Sequence, residues 1–380
     1  MKERVKFVLD AESGLYRMTE LCQGYGISRE KGYKWLNRYR DEGIEGLKDR
    51  SRAPEHCPHR TSEAIQEKII QARKKHPRWG PVTLLHWLRR GEPQVGWPAA
   101  STAGAILKRE GLIGERKKRR RGPPVKGKAK GDLSQAQPGE VMTIDYKGEF
   151  RTGDGLYCYP LTLQEFTSRY LLACQAHLST ALEGARKVCE QVFEKQGLPR
   201  IILSDNGTPF AGSSWTGLTQ LSLWWLDLGI EHRRIEGGHP EQNGRHERMH
   251  RTLKEATCYP PAADAGCQQK VFDLFREEFN QDRPHGALWG QVPAQHFEGL
   301  SEPNRPPSRV MDYPGHYERR RVGSNGMIKF KGLELFLSKS LKHRVVGLEE
   351  VAFRVWSLYY GPRLLGRFRE GERRIYAGQD

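Results

Sequence analysis

The chain lacks every cysteine pattern that would staple a fold. Its seven cysteines, Cys22, Cys57, Cys158, Cys174, Cys189, Cys258 and Cys267, include no C-x-x-C pair. An odd, scattered set excludes a disulfide framework and indicates reduced thiols, as in a cytoplasm. Cys57 and His59 stand close together, but no second pair follows at zinc-ligand spacing, which argues against a Cys-rich zinc knuckle. The opening stretch MKERVKFVLDAESG has no apolar h-region of a secretory signal. An apolar run of about 18 residues is also missing; LSLWWLDLGI is short and interrupted by Asp227. A secreted or membrane-spanning protein is thereby set aside, and a soluble intracellular one is expected.

What the chain has in excess is positive charge, with 63 Lys+Arg against 46 Asp+Glu. The excess is segregated. Residues 1–135 carry a net +15, residues 136–300 a net −5 and residues 301–380 a net +7. Solubility alone does not explain such segregation; two polyanion-binding ends around a different kind of centre do. At 380 residues the chain is long enough for two to four domains.

The front is helical. In MTELCQGYGISREKGYKWLNRYR, residues 18–40, Leu21 is an apolar position on a first helix and Gly24 and Gly26 permit a turn. Ser28 is a good N-cap for a second helix, Ser28–Tyr39, with Lys31 at its third position. Tyr33, Leu36 and Tyr39 are expected to face inward, and Arg29, Lys31, Lys34 and Arg38 outward. This is helix-turn-helix grammar with a basic recognition helix. GLKDRSRAP, containing Arg50 and Arg52, follows as an exposed basic linker. Residues 61–113 give a second helical block: a helix capped by Thr61 and running through His76, a turn and short helix in PRWGPVTLLHWLRR, and a last helix in TAGAILKREGL. The expected organisation is a helix-turn-helix domain at 1–55 and a second such domain at 56–114. ERKKRRRGPPVKGKAKG, with Lys117, Arg119 and Arg120 among its nine cations, has nothing with which to build a core. It marks a linker at 115–135 that waits for a phosphate backbone.

Beyond it the texture alternates between strand and helix. VMTIDY is a strand ending in a carboxylate, LYCYPLTL and RYLLACQA continue an antiparallel meander, and RIILSDNG is a buried strand that again ends in a carboxylate. Helices are expected at 180–196, 218–228, 243–256 and 268–280, with IEHRRI a short strand. The core is set at 136–300. A small all-β module, SH3-like, is set at 310–380, with turns at GSNG and YYGPR.

One motif offers two chemistries. His246-Glu247-Arg248-Met249-His250 fits H-E-x-x-H, in which two imidazoles on one helix face hold zinc and the glutamate polarises its water. Pro240, Asn243 and Gly244 put the motif in a first helical turn, Arg248 puts a cation inside it, and no third ligand announces itself beyond Glu277 or Glu278. The alternative is a carboxylate cluster of Asp145, Asp205 and Glu247. Strand ends in an α/β sheet are where polar groups converge on a crevice. The Asp-Asn-Gly turn exposes Asp205. Clustered carboxylates repel unless a cation neutralises them, and Mg²⁺ or Mn²⁺ prefers oxygen ligands. Two such ions could serve both oxygens of a phosphodiester displacement.

Asp145 in TIDYKGEF, LSDNGTPF and HPEQNGRHERMHRTLKEA together resemble the catalytic core of retroviral-integrase-like transposases. FNQDRPHGAL, DRSRAP and WGPVTLLHWL resemble segments of the bacterial insertion-sequence branch. The resemblance, over about residues 15–365, implies an RNase H-like core with an Asp-Asp-Glu site formed by Asp145, Asp205 and Glu247. Glu241, before the glycine that opens the helix, is assigned to a loop. The implied cofactor is Mg²⁺ or Mn²⁺, two ions per site. Glu247, Arg251 and Lys254 stand at i, i+4 and i+7 and share a helix face, so Arg251 and Lys254 are expected to grip DNA-end phosphates while His246 and His250 neighbour the DNA. The implied activity is binding of terminal inverted repeats, 3′-end cleavage and strand transfer into target DNA, by a dimer or higher multimer in a bacterial cytoplasm, on the nucleoid when bound to DNA. A non-catalytic repressor derived from such a protein is the second reading, and the zinc peptidase a distant third.

Overall fold

The computed structural model describes residues 2–50, 60–114, 133, 135–212, 214–236, 243–300 and 313–377. Arg52, Lys117, Arg119, Arg120 and Glu241 lie outside the described residues. The chain divides into two compact units, residues 1–61 and 62–380.

The first unit is a three-helix cluster, α1 (Lys2–Glu12), α2 (Met18–Gly24) and α3 (Arg29–Glu42). The Ser28 hydroxyl accepts from the Lys31 amide at 3.3 Å, the N-cap expected from sequence. Phe7, Val8, Leu21, Cys22, Leu36 and Leu47 make the core. Tyr33 does not face it: the side chain is 45% exposed. The inward position is Gly32, where an added Cβ would stand 2.6 Å from Cys22 Sγ and 2.9 Å from Phe7 Cζ. The inward stripe thus runs Gly32–Leu36, and Tyr33 joins exposed Arg29, Lys31 and Lys34 on the outer side.

The second unit opens with α4 (Glu63–Lys75), α5 (Pro81–Gly91) and α6 (Ala100–Arg109). The first of these is preceded by Ser62, without a side-chain cap bond, and not by a Thr61 cap. Pro81 opens α5, where its missing N–H costs nothing. Ile69, Trp79, Leu84, Leu85, Leu88, Ile106 and Leu107 form a core belonging to these helices alone.

The central domain is a mixed sheet with the order β2-β3-β1-β5-β6, and β4 also pairs β3. Its strands are β1 (Val141–Tyr146), β2 (Phe150–Arg151), β3 (Tyr157–Glu165), β4 (Leu171–His177), β5 (Ile201–Ser204) and β6 (Glu231–Arg234). The meander β1-β3-β4 is antiparallel, while β1-β5 and β5-β6 are parallel. The central parallel strands β1 and β5 are buried through Val141–Ile144 and Ile201–Ser204, as a sheet covered on both faces requires, while the edge strand β6 is the charged run EHRR. Helices α7 (Leu182–Gln196) and α8 (Gln220–Asp227) cover one face through Val188, Val192, Phe193, Leu221 and Trp225. Helices α9 (Gly244–Thr257) and α10 (Ala265–Glu277) cover the other through Met249, Leu253, Phe272 and Phe275. This is the RNase H-like α/β sandwich expected from the sequence. A π-turn, Glu278–Asp282, extends the chain beyond α10.

Residues 318–377 form the β-rich end. Strands β7 (Glu318–Arg321), β10 (Val345–Ala352), β11 (Val355–Tyr360), β12 (Arg363–Arg369) and β13 (Tyr376–Ala377) make an antiparallel sheet, and β8 (Met327–Phe330) and β9 (Leu333–Phe336) a separate hairpin. Their core includes Leu218, Leu223 and Leu226 from α8 and its approach.

Candidate active site

The parallel pairing of β1 with β5 places Ile144 opposite Ser204. The residue that follows each is an aspartate, Asp145 still within β1 and Asp205 just past the end of β5, so the two stand at the same level of adjacent strands. Gly207 makes the second of them possible: an added Cβ would lie 2.9 Å from Asp205 Oδ2, and its amide donates to Asp205 Oδ1 at 3.0 Å. Burial, with the like charge of Asp205, pushes the Asp145 carboxyl up to about 7. Asn243, at the N-cap position of α9, donates from Nδ2 to Asp145 Oδ2 at 3.0 Å and partly offsets that rise.

Beneath Asp145 lies a polar cluster that sequence reasoning did not assemble. His246 Nδ1 meets Thr143 Oγ1 and His246 Nε2 meets Thr162 Oγ1, each at 2.7 Å. His250 Nε2 meets the same Thr162 hydroxyl at 2.6 Å, and that hydroxyl donates to the Asp145 carbonyl at 3.1 Å. The Thr162 hydroxyl has one proton and two lone pairs. If it donates to the carbonyl, both imidazoles donate to it from Nε2. His250 then presents an unprotonated Nδ1 toward Asp145 Oδ2, 3.8 Å away. Burial keeps both rings neutral, with His246 lowered to about 3 and His250 well below the usual histidine range. Both are buried, so they are not neighbours of DNA at the surface; they form the floor under Asp145.

Ligand-type atoms of Asp145, His246 and His250 lie within 4.8 Å of one another, the one such group among the described residues. Glu247 does not join it. It is exposed, as are Arg251 and Lys254. The helix that turns Asn243, His246, His250 and Leu253 to the sheet turns these three to solvent. Lys254 Nζ lies 5.8 Å from the centre of the Tyr259 ring. Of the other cations expected at DNA, Arg29, Lys31 and Lys34 are exposed, Arg38 is half-buried, and Arg50 is exposed with its guanidinium engaged by Glu42.

Two family models described as integrase core domain match residues 135–240 and 228–293. A helix-turn-helix domain model matches residues 3–55 and a homeodomain-like model residues 31–107. An uncharacterized 39.2 kDa protein of insertion element IS476 from Xanthomonas euvesicatoria is 24% identical over 264 residues, 69% of this chain and 72% of that protein. The Gag-Pol polyprotein of baboon endogenous virus is 33% identical over 119 residues, 31% of this chain. The Pol polyprotein of feline endogenous virus matches at the same identity and length. The chain spans only 6% and 11% of those two polyproteins. Among solved structures, the magnesium-bound HTLV-2 integrase catalytic core domain is similar at 13% identity and a TM-score of 0.34, over 43% of this chain and 99% of that one. A simian T-cell lymphotropic virus intasome chain is similar at 14% identity and a TM-score of 0.37, over 78% and 97%. By its sequence matches the chain is similar to integrase core domains over residues 135–293 and to helix-turn-helix domains ahead of them, and it resembles proteins of insertion elements and retroviruses over part of its length.

Proposed function

We propose that the protein is an insertion-sequence transposase. Its helical front, residues 1–55 and 56–114, binds the element's terminal inverted repeats. Its core, residues 136–300, cleaves the 3′ end and transfers it into target DNA. The observation that carries this reading is the emergence of Asp145 and Asp205 side by side from two parallel strands of an integrase core domain. Asp145, Asp205 and Glu247 are the residues that would hold Mg²⁺ or Mn²⁺, two ions in all. The fit is physical: a hard cation relieves both the burial and the mutual repulsion that raise the Asp145 carboxyl. When bound, such ions neutralise charge developing at a phosphodiester under in-line attack.

The chain's own residues do the rest. Asn243 fixes one oxygen of Asp145 through its amide. The His246–Thr143–Thr162 network holds the strand end beneath it. Arg251 and Lys254, one and two turns beyond Glu247 on the solvent side of α9, grip backbone phosphates. Water first displaces the 3′ oxygen from a phosphodiester, and the freed 3′-hydroxyl then displaces an oxygen from target DNA. Each step forms one P–O bond and breaks one, so no nucleotide cofactor is required. The recognition-helix cations Arg29, Lys31, Lys34 and Arg38 contact the ends, with Arg50, Arg52, Lys117, Arg119 and Arg120 on phosphates of the linkers. The two ends are joined by a dimer or higher multimer, and the site of action is the bacterial cytoplasm. Among the described residues no helix is long and apolar enough to cross a membrane.

A zinc peptidase would need His246 and His250 as ligands. His246 has both ring nitrogens spent on threonine hydroxyls and no exposure, which argues against that reading. A repressor would need no carboxylates. The deciding experiment incubates the full chain with Mg²⁺ or Mn²⁺ and a linear duplex ending in the DNA that flanks its gene. Wild type is expected to cut and join ends, while Asp205→Asn and Glu247→Gln bind the duplex but join nothing. Joining by Asp205→Asn at the wild-type rate would overturn the site, and binding without joining by wild type would favour the repressor.

A further inference from the structure

Two sequence motifs have no part in the chemistry above, WGPVTLLHWLRR in the second helical block and NQDRPHGALWG after α10. The structure brings them together across nearly two hundred residues. Trp87 Nε1 donates to Asp282 Oδ1 at 2.8 Å, and Arg90 Nη2 lies 3.2 Å from both that oxygen and the Asp282 carbonyl. Just before Trp87 on the same helix, His86 meets Gly290 so closely that an added Cβ there would stand 2.2 Å from its Nδ1. His76 reaches Asp282 Oδ2 at 3.7 Å and Glu278 Oε1 at 3.6 Å. The acceptor Asp282 closes the π-turn, an irregularity found frequently at functional sites. A second contact falls on α9 itself. Arg78 Nη1 donates to the Ala256 carbonyl at 2.6 Å, and Nη2 reaches the Tyr259 carbonyl at 3.5 Å. Ala256 belongs to the last turn of α9, whose carbonyls have no partner within the helix, so a cation there is an electrostatic cap.

These contacts are poor candidates for stability. Arg90 and Asp282 are each about a third exposed, at 34% and 36%, where an ion pair contributes little. The helical block has its own hydrophobic core, which among the described residues includes no apolar residue of the central domain. What the contacts do fix is distance and angle. We propose that they form a clasp that sets which phosphate is cut, by holding the DNA-reading helices α4–α6 rigidly against α9, the helix of Glu247, Arg251 and Lys254. Asp282 and Arg78 are positioning residues; neither touches the reacting atoms. The proposal rests on the reading of the helical block as the end-binding part and of the core as the nuclease.

The test uses the full chain as wild type, Asp282→Ala and the pair Arg78→Ala with Arg90→Ala, on a duplex ending in the gene's flanking DNA. The position of the cut is read on a sequencing gel. Plasmid nicking without those ends, in Mn²⁺, is measured in parallel. Both variants should bind the duplex as wild type does and nick plasmid normally. Their end cleavage should spread over neighbouring phosphates and slow by about tenfold to a hundredfold, the scale of loss expected from ångström-level misplacement. Cutting at the wild-type phosphate and rate would overturn the clasp. So would a loss of duplex binding matching the loss of cleavage, since Arg78 and Arg90 would then be DNA contacts. If Asp282→Ala also stops nicking, Asp282 supports the core's own fold, and the exposed arginine pair decides the question from the other side. If wild type cuts no DNA under any of these conditions, it is the transposase reading that fails, and the clasp falls with it.

Discussion

At the scale of single residues, Asp145 makes a measurable statement about pH. Its carboxyl is raised from 3.8 to about 7 in the fold, so between those values the native state holds a proton that the unfolded chain has released. Its contribution to stability therefore falls as pH rises through that window. In metal-free protein, the melting temperature of Asp145→Asn should exceed that of wild type by a margin that widens from pH 4 to pH 7. The shift sets a ceiling of about 4 kcal/mol on that margin. Millimolar Mn²⁺ should raise the wild-type melting temperature and leave that of the variant unmoved. His246 has the opposite sign. Lowered to about 3, it supports the fold fully above the usual histidine value and loses that support as pH falls toward 3. His246→Ala should cost roughly 2–4 kcal/mol at pH 7.5, since it opens a cavity and takes one hydrogen bond from each of two buried threonine hydroxyls. Urea unfolding midpoints measure that loss.

At the scale of elements, β1 and β5 were legible because each is an apolar run that leads to an aspartate; β5 ends just before Asp205, and β1 continues through Asp145 to Tyr146. Helix α9 was legible as a helix, and its solvent side of Glu247, Arg251 and Lys254 follows from spacing alone. The inward side was not. His246 and His250 look like an outer polar face until Thr143 of β1 and Thr162 of β3 supply their partners. No local pattern carries that pairing. Helix α3 shows a related failure. Taking Tyr33 as a core residue assumed that an aromatic side chain fills the inward position, whereas a glycine fills it so that Phe7 and Cys22 can approach the helix. Gly32→Ala would gain about 1 kcal/mol in helix propensity but forces contacts at 2.6 and 2.9 Å. Overpacking should win, lowering the stability of the three-helix unit by about 1–2 kcal/mol, and circular dichroism melts would detect it. Exposed Tyr33, by contrast, can be replaced by Ala with no such loss.

At the scale of the whole molecule, charge is segregated along the chain. The basic front and tail flank a core whose net charge is −5. A polyanion such as DNA should therefore be held mainly from the ends, with affinity falling steeply in salt. Changing Arg29, Lys31 and Lys34 together to Ala should weaken duplex binding. It should also flatten the log–log salt dependence by about 0.9 for each phosphate no longer neutralised, or about 2.7 if all three side chains sit on phosphates. Fluorescence anisotropy across a salt series reads both quantities, and an unchanged slope would place those cations off the DNA. Sequence could not show how the parts are fastened, because each fastening joins residues remote in the chain. Helix α8 is the plainest case. Leu221 and Trp225 enter the core of the central mixed sheet, while Leu223 and Leu226 enter the core of the β-rich end. Asp227, at its end, receives Arg344 at 2.6 Å. A helix greasy on two opposite sides leaves no clean place to cut the polypeptide. A fragment ending at residue 300 would carry one of those sides bare into water and should precipitate on expression, whereas residues 62–380 should stay in solution.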